Sequence, residues 1–181
     1  GVNRVATWNP ATTTTVTAVG MPVTNVGTVS TPGIASTNRK TSMRRWTLTS
    51  AAVVNSVADQ RCQANVCWRG NASGLGGFTY TNRIALTTLQ ATGMGFFGLY
   101  GSTSALATTL LLSGVVNCVG LGFQRGTHTN WRLVQNDGSG APTLTDLGAS
   151  FPINTTDVLT IFIGAAPNGS RIGVRVINET S

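Results

Sequence analysis

Apolar and polar residues alternate in short runs along most of this chain, and the runs are separated by glycine, proline, asparagine and serine. The clearest case lies between Gly114 and Gly148. Val115, Val119, Leu121 and Phe123 share one parity, lead into the polar run Gln124 to His128, and Asn130-Trp131-Arg132-Leu133-Val134 resumes the alternation. That is the period of a half-buried strand. Asn136-Asp137-Gly138-Ser139-Gly140 then supplies residues that tolerate positive φ, so the stretch predicts an antiparallel meander closed by Pro142 to Leu147. A meander with one apolar face needs a second sheet to cover it.

Other runs extend the pattern. Met43 to Val54, Gln60 to Arg69 and Gly77 to Leu86 are each long enough for a strand, with turn compositions at Asn55 to Asp59 and Gly70 to Gly74. Met94 to Tyr100 is apolar on both faces, which predicts a central strand, whereas Ser102 to Leu112 suits either a short helix or a crossing loop. Asp157 to Ile163 and Arg171 to Ile177 flank Ala166-Pro167-Asn168-Gly169, the strongest hairpin signal in the chain. Roughly ten strands without a helical period predict an all-β fold, an antiparallel β-sandwich of jelly-roll type, with a barrel as the alternative architecture. Residues 1–38 differ: they are rich in Thr and Val, punctuated by Gly20, Pro22, Gly27, Pro32 and Gly33, and poor in large apolar groups. They read as an extended stem or assembly segment ahead of a sandwich domain over residues 39–181. The chain stops at Ser181 where a strand should turn, so the sandwich reads as either cut short or closed by a neighbour.

Composition sharpens this. Charged residues are only 9% of the chain against 41% hydrophobic, so exposed helices, which favour Glu, Lys and Gln, are not expected. The net charge of +7 is carried almost wholly by arginine, Lys40 being the only lysine. The arginines are spread singly apart from Arg39-Lys40 with Arg44-Arg45, a pattern that suits bonds to carbonyls and carboxylates at subunit contacts better than a nucleic-acid-binding arm. Cys62, Cys67 and Cys118 have no ligand-like spacing and read as buried free thiols of a protein assembled in a reducing cytoplasm. No apolar run is long enough to span a membrane, and the sequons at Asn71, Asn154, Asn168 and Asn178 read as compositional.

Catalytic chemistry finds little footing. The carboxylates are Asp59, Asp137, Asp146, Asp157 and Glu179, and none is placed by its context as half of a facing acid pair. His128 is the only histidine, no Gly-x-Ser-x-Gly elbow accompanies it, and a zinc site lacks donors. Asn136 to Gly140 carries too little charge for a calcium loop and is explained by a turn. No cofactor or metal is therefore expected. A recognition surface is the better candidate: aromatic rings can cover the apolar side of a sugar while Asn, Arg and hydroxyl groups reach its edges. Tyr80, Arg83, Arg125, His128, Asn130 and Trp131 are the candidate contact residues; for Trp46, Trp68, Phe78 and Trp131, core packing is the competing explanation.

The wording of several segments adds a resemblance. VCWRGNASGLGGFTYTNRI at 66–84, FFGLYGSTSA at 96–105, VGLGFQRGTHTNWRLVQNDGSG at 119–140 and DVLTIFIGAAPNGSRIGVRV at 157–176 resemble a β-sandwich module of bacteriophage tail-fibre and tail proteins. The resemblance spans about residues 40 to 181 and implies a trimeric virion appendage in the tail, assembled in the bacterial cytoplasm with other tail proteins. It also implies distal domains that attach to host polysaccharide or lipopolysaccharide. No catalytic residue carries over, because Gly77, Phe78, Asn82, Arg83, Trp131, Asn136, Asp137 and Gly138 sit in motif positions of structural character. The expectation is a non-enzymatic attachment component, with a purely structural virion protein as the alternative and a polysaccharide depolymerase or capsid protein behind it.

Overall fold

Strands form where the alternation of apolar and polar residues runs unbroken, and glycine, asparagine or proline ends most of them. The computed structural model describes residues 7–9, 17–19, 23–62, 67–102, 104–107 and 110–180, and no α-helix occurs among them. In chain order the strands are β1 (Thr7–Asn9), β2 (Thr17–Val19), β3 (Val23–Val26), β4 (Thr28–Ser30), β5 (Thr47–Thr49), β6 (Asp59–Cys62), β7 (Phe78–Ala85) and β8 (Met94–Tyr100). After a 3-10 turn at Leu112–Gly114 come β9 (Cys118–Gln124), β10 (Arg132–Asn136), β11 (Thr143–Asp146), β12 (Val158–Ala165) and β13 (Gly173–Asn178).

The chain divides into one unit of residues 1–68 with 102–109 and another of residues 69–101 with 110–181. The boundary expected near residue 38 is therefore replaced by one at residue 68. The reason is pairing: β5 runs antiparallel to β4 and β6 to β3, which ties residues 39–62 to the N-terminal strands.

The first unit is made of two-stranded ribbons, β1 with β2, β3 with β6 and β4 with β5. The strand expected over Met43 to Val54 shrinks to β5, while β6 covers the start of the one expected over Gln60 to Arg69, of which residues 63–66 lie outside the described residues. Arg45 explains part of this, because its guanidinium donates to the carbonyls of Gly33, Thr41 and Met43 and holds that stretch as a loop. The positive φ of Asn55 and a bond from the Ser56 hydroxyl to the Ala51 carbonyl fix a turn beyond it. Cys62 and Cys67 are free and half-buried, and residues 63–66 between them lie outside the described residues. No described residue of this unit is buried, and Ile34, Val53, Val54 and Trp68 are exposed, so Trp68 is not the core residue that its type suggests.

The second unit is a two-layered antiparallel sandwich. One sheet has the order β11-β10-β9-β8 and the other β13-β12-β7. The four-stranded sheet is an up-and-down meander in which β9, β10 and β11 are the three strands that the stretch between Gly114 and Gly148 predicts, and β7 reaches across to lie beside β12. Leu159, Ile161 and Ile163 of β12 meet Leu121 and Phe123 of β9 in the interior, with Ile84, Trp131 and Ile153 completing it. Trp131 stands edge-on to Phe123 at a centroid distance of 5.0 Å and tilts against Phe97 at 5.9 Å.

Strand β8 departs from expectation: it pairs only with β9 and ends the sheet. Its residues are apolar on both faces because both faces are covered. Phe97 and Leu99 pack against the core, while Phe96 lies on the outer face with Val134 and with Leu112 from the 3-10 turn. That outer layer is tight. Gly98 and Gly120 are cross-strand partners, and a Cβ on either would come within 2.4 Å of a backbone oxygen on the opposite strand. Of the segment Ser102 to Leu112, residues 103, 108 and 109 lie outside the described residues; the described part is loop and ends in the 3-10 turn, held by the Leu112 N–H donating to Oε1 of Gln124 at 3.1 Å.

The facing and close approach of the strands set the cost of substitution. Ile161→Ala, at a wholly buried position, should cost about 2–5 kcal/mol in denaturant unfolding, whereas Thr81→Ala on the exposed face of β7 should stay within about 0.5 kcal/mol. Gly120→Val should lower the midpoint of thermal unfolding, because nothing backbone-bound can move aside for the new side chain.

Candidate functional site

The β9–β10 connection is where polar candidates gather. Strand β9 ends at Gln124, and the chain reverses over Arg125, Gly126 and Thr127, with Gly126 at φ +80°. The N–H groups of Thr127 and His128 both donate to the Gln124 carbonyl, and the Gln124 amide donates to the Thr127 hydroxyl at 3.2 Å. The Arg125 N–H donates to the Gly93 carbonyl, which fastens the start of the loop to the chain leading into β8. At the other end the Trp131 N–H donates to the Phe151 carbonyl and the Ile153 N–H to the Thr129 carbonyl, so the loop is anchored on both sides.

Asp146 is the centre of the cluster. It lies opposite Arg132 in the β10–β11 ladder, and the two form an ion pair at 3.0 Å. Its other oxygen accepts from the Gly148 N–H at 2.8 Å and from the Asn130 side-chain amide at 3.2 Å. The Gly148 N–H above all, then Asn130, Arg132 and His128, hold the Asp146 carboxyl below its usual range, against a weaker opposing effect of desolvation. His128 is shifted down as well, first by desolvation and then by the Arg132 charge, with Asp146 pulling the other way. Nδ1 of His128 and the Nε groups of Arg125 and Arg132 are shielded from solvent without a hydrogen-bond partner among the described residues.

The structure separates the residues singled out from sequence. Arg125, His128 and Asn130 share this loop. Arg83 sits on the outer face of the three-stranded sheet, donating from Nε to the Thr160 hydroxyl at 3.2 Å and pairing with Glu179 at 3.4 Å. Tyr80, of opposite parity on the same strand, is half-buried and packs against the core. Trp131 is 3% exposed and offers no face to a ligand, so its expected contact role is withdrawn. The physical reason is alternation: Trp131 turns inward and Arg132 turns outward. Arg132 and Asp146 were missed, although that same alternation marks Arg132 as the outward neighbour of an inward tryptophan.

The remaining acidic groups are engaged locally. Asp137 accepts from the Ser139 N–H and shapes the hairpin, Asp157 accepts from the Asn178 amide, and Asp59 pairs with Arg61. Among the described residues no group of three or more His, Cys, Asp or Glu is placed to hold a metal ion. Cys118 is buried and donates to the Val115 carbonyl, and burial pushes its thiol up to about 11. Guanidinium, imidazole and amide on an anchored loop, with the Asp146 carboxylate of β11 beside them, make a surface suited to recognising a polar ligand.

The lowered His128 pKa fixes a pH dependence. Its neutral form is favoured in the native state, so the unfolded chain, titrating near 6.5, binds the proton more readily. The stabilising contribution is therefore complete above pH 6.5 and is lost as pH falls through the lower native value; the corresponding loss at Asp146 begins only below 3.8. NMR titration of this sole imidazole should give a midpoint below 6.5, and His128→Gln should flatten the fall in unfolding temperature between neutral pH and about pH 5. A midpoint at or above the ordinary value would contradict the assignment. Set beside known proteins, the chain matches no family model, no curated protein and no solved structure.

Proposed function

We propose that this chain is a non-enzymatic bacteriophage tail-fibre or receptor-binding component that attaches the virion to glycan on the bacterial surface. One contrast carries the reading. The second unit closes its own core, whereas the first consists of two-stranded ribbons in which no described residue is buried. Isolated two-stranded ribbons are marginal in water. Copies set side by side supply the cover that one copy lacks, and a trimeric fibre with other tail proteins at its base is such an arrangement. The resemblance of residues 66–84, 96–105, 119–140 and 157–176 to the phage tail module supports the same assignment. In this reading the anchored loop with Arg125, His128 and Asn130, together with Arg132 and Asp146, faces the receptor.

The test uses the purified chain. Light scattering should report a trimer, and the labelled protein should bind bacteria of a susceptible host and lose that binding when surface polysaccharide is stripped. Absence of binding to every host strain would replace attachment by a structural role in the virion. Release of reducing ends from host polysaccharide would instead make the protein a depolymerase.

A further inference from the structure

The outer face of the three-stranded sheet carries a hollow away from the β9–β10 loop. Cross-strand partners share a face, as do residues two apart on one strand. Thr79, Gly164 and Gly173 therefore form one rank across β7, β12 and β13, and Thr81, Phe162 and Arg175 form the next. The glycine pair leaves an open depression of about 330 Å³ beside the Phe162 ring, bordered by Thr79 and Arg175. That volume is at the small end for ligand sites and suits about one ring.

Neither backbone nor packing demands glycine at residue 173. Its φ is not in the left-handed region, and a Cβ there would meet nothing nearer than the Gly164 carbonyl oxygen at 3.8 Å. Gly173 opens β13, and the missing side chain leaves this part of the sheet face open to an approaching group. The electrostatics say what that is. Glu179, the acidic group on this face, already accepts from the Thr160 hydroxyl at 2.7 Å and pairs with Arg83. Arg175 is exposed and has no hydrogen bond or ion pair among the described residues. An aromatic wall, a free hydroxyl and an unpaired guanidinium around a one-ring hollow match a pyranose that carries a carboxylate. The ring's apolar side lies against Phe162, and its carboxylate takes the forked hydrogen bonds of Arg175.

We propose that this hollow is a binding subsite for an acidic sugar of a polysaccharide, a uronic-acid-type residue. The inference rests on the attachment reading and gives it a ligand class and a second surface. Titration calorimetry of the full chain with trigalacturonate at pH 7 should show binding, and a neutral galactose trisaccharide should bind at least tenfold more weakly. Gly173→Val, which fills the hollow, and Arg175→Gln, which removes the charge from an exposed site, should each weaken trigalacturonate by roughly tenfold or more. NMR shifts on titration should centre on Thr79, Gly164 and Gly173. Should Gly173→Val fail to fold, Arg175→Gln and the shift map decide the matter. Wild-type affinity in both variants, equal affinity for the neutral trisaccharide, or shifts centred elsewhere would overturn the subsite. Binding to host cells without binding to trigalacturonate would overturn the subsite alone, whereas binding to neither would overturn attachment as well.

Discussion

The contact between β12 and β9 is the constraint on which the second unit depends. Leu159, Ile161 and Ile163 present one face of β12 to Leu121 and Phe123, and both neighbours of β12, β7 and β13, are hung on it by antiparallel pairing. Because side chains alternate, the same register that seats the isoleucines turns Thr160, Phe162 and Gly164 outward. A slip by one residue would turn the Thr160 hydroxyl, which is buried under Arg83 and Glu179 on the outer side, into the apolar interior and turn Ile161 out of it. The hydroxyl of Thr160, bonded to Glu179 and to Arg83, ties all three strands together from the outer side and opposes such a slip.

The ends of these strands are pinned as firmly as their middles. The turn after β12 places Pro167 before Asn168, whose φ of +52° completes the reversal, and the Gly169 N–H donates to the Ala166 carbonyl. Arg69 then reaches over the turn to the Gly169 carbonyl at 2.6 Å, while the Asn168 N–H donates to the Leu75 carbonyl at 3.0 Å. Residues ahead of β7 thus clamp the β12–β13 hairpin, and the hollow bordered by Thr79 and Gly164 sits beside a rigid tip. Preorganisation of this kind lowers the ordering cost of binding.

Alternation was legible wherever one face of a strand meets the core and the other meets water, which is why the meander from Cys118 to Asp146 and the hairpin around Asn168 could be read directly. It misled where that condition fails. The Met94–Tyr100 strand is apolar on both sides because Leu112 of the 3-10 turn and Val134 lie with Phe96 on its outer face, a tertiary fact that no local period encodes. Residues 39–62 belong to the first unit through pairing with residues 23–30, and a long-range partner leaves no trace in local composition. At the loop, residue type alone promoted Trp131 to a contact residue. The burial of its ring between Phe97 and Phe123 depends on the return of the chain at Phe151, again a distant event.

Charge finally distinguishes steering from selection. The chain carries +7, yet many of its arginines are spent internally: Arg45 and Arg69 on carbonyls, and Arg61, Arg83 and Arg132 on the carboxylates of Asp59, Glu179 and Asp146. Arg171 and Arg175, around the start of β13, have no such partners among the described residues. The unneutralised charge thus includes a patch beside the hollow rather than running along a basic arm. At physiological salt the screening length is about 8 Å, so such a patch draws an anion only over roughly its own width. Attraction of that range gathers many polyanions alike. Discrimination among them must come from direct contact, and on this face the shape made by Gly164, Gly173 and Phe162 is what a contact would read.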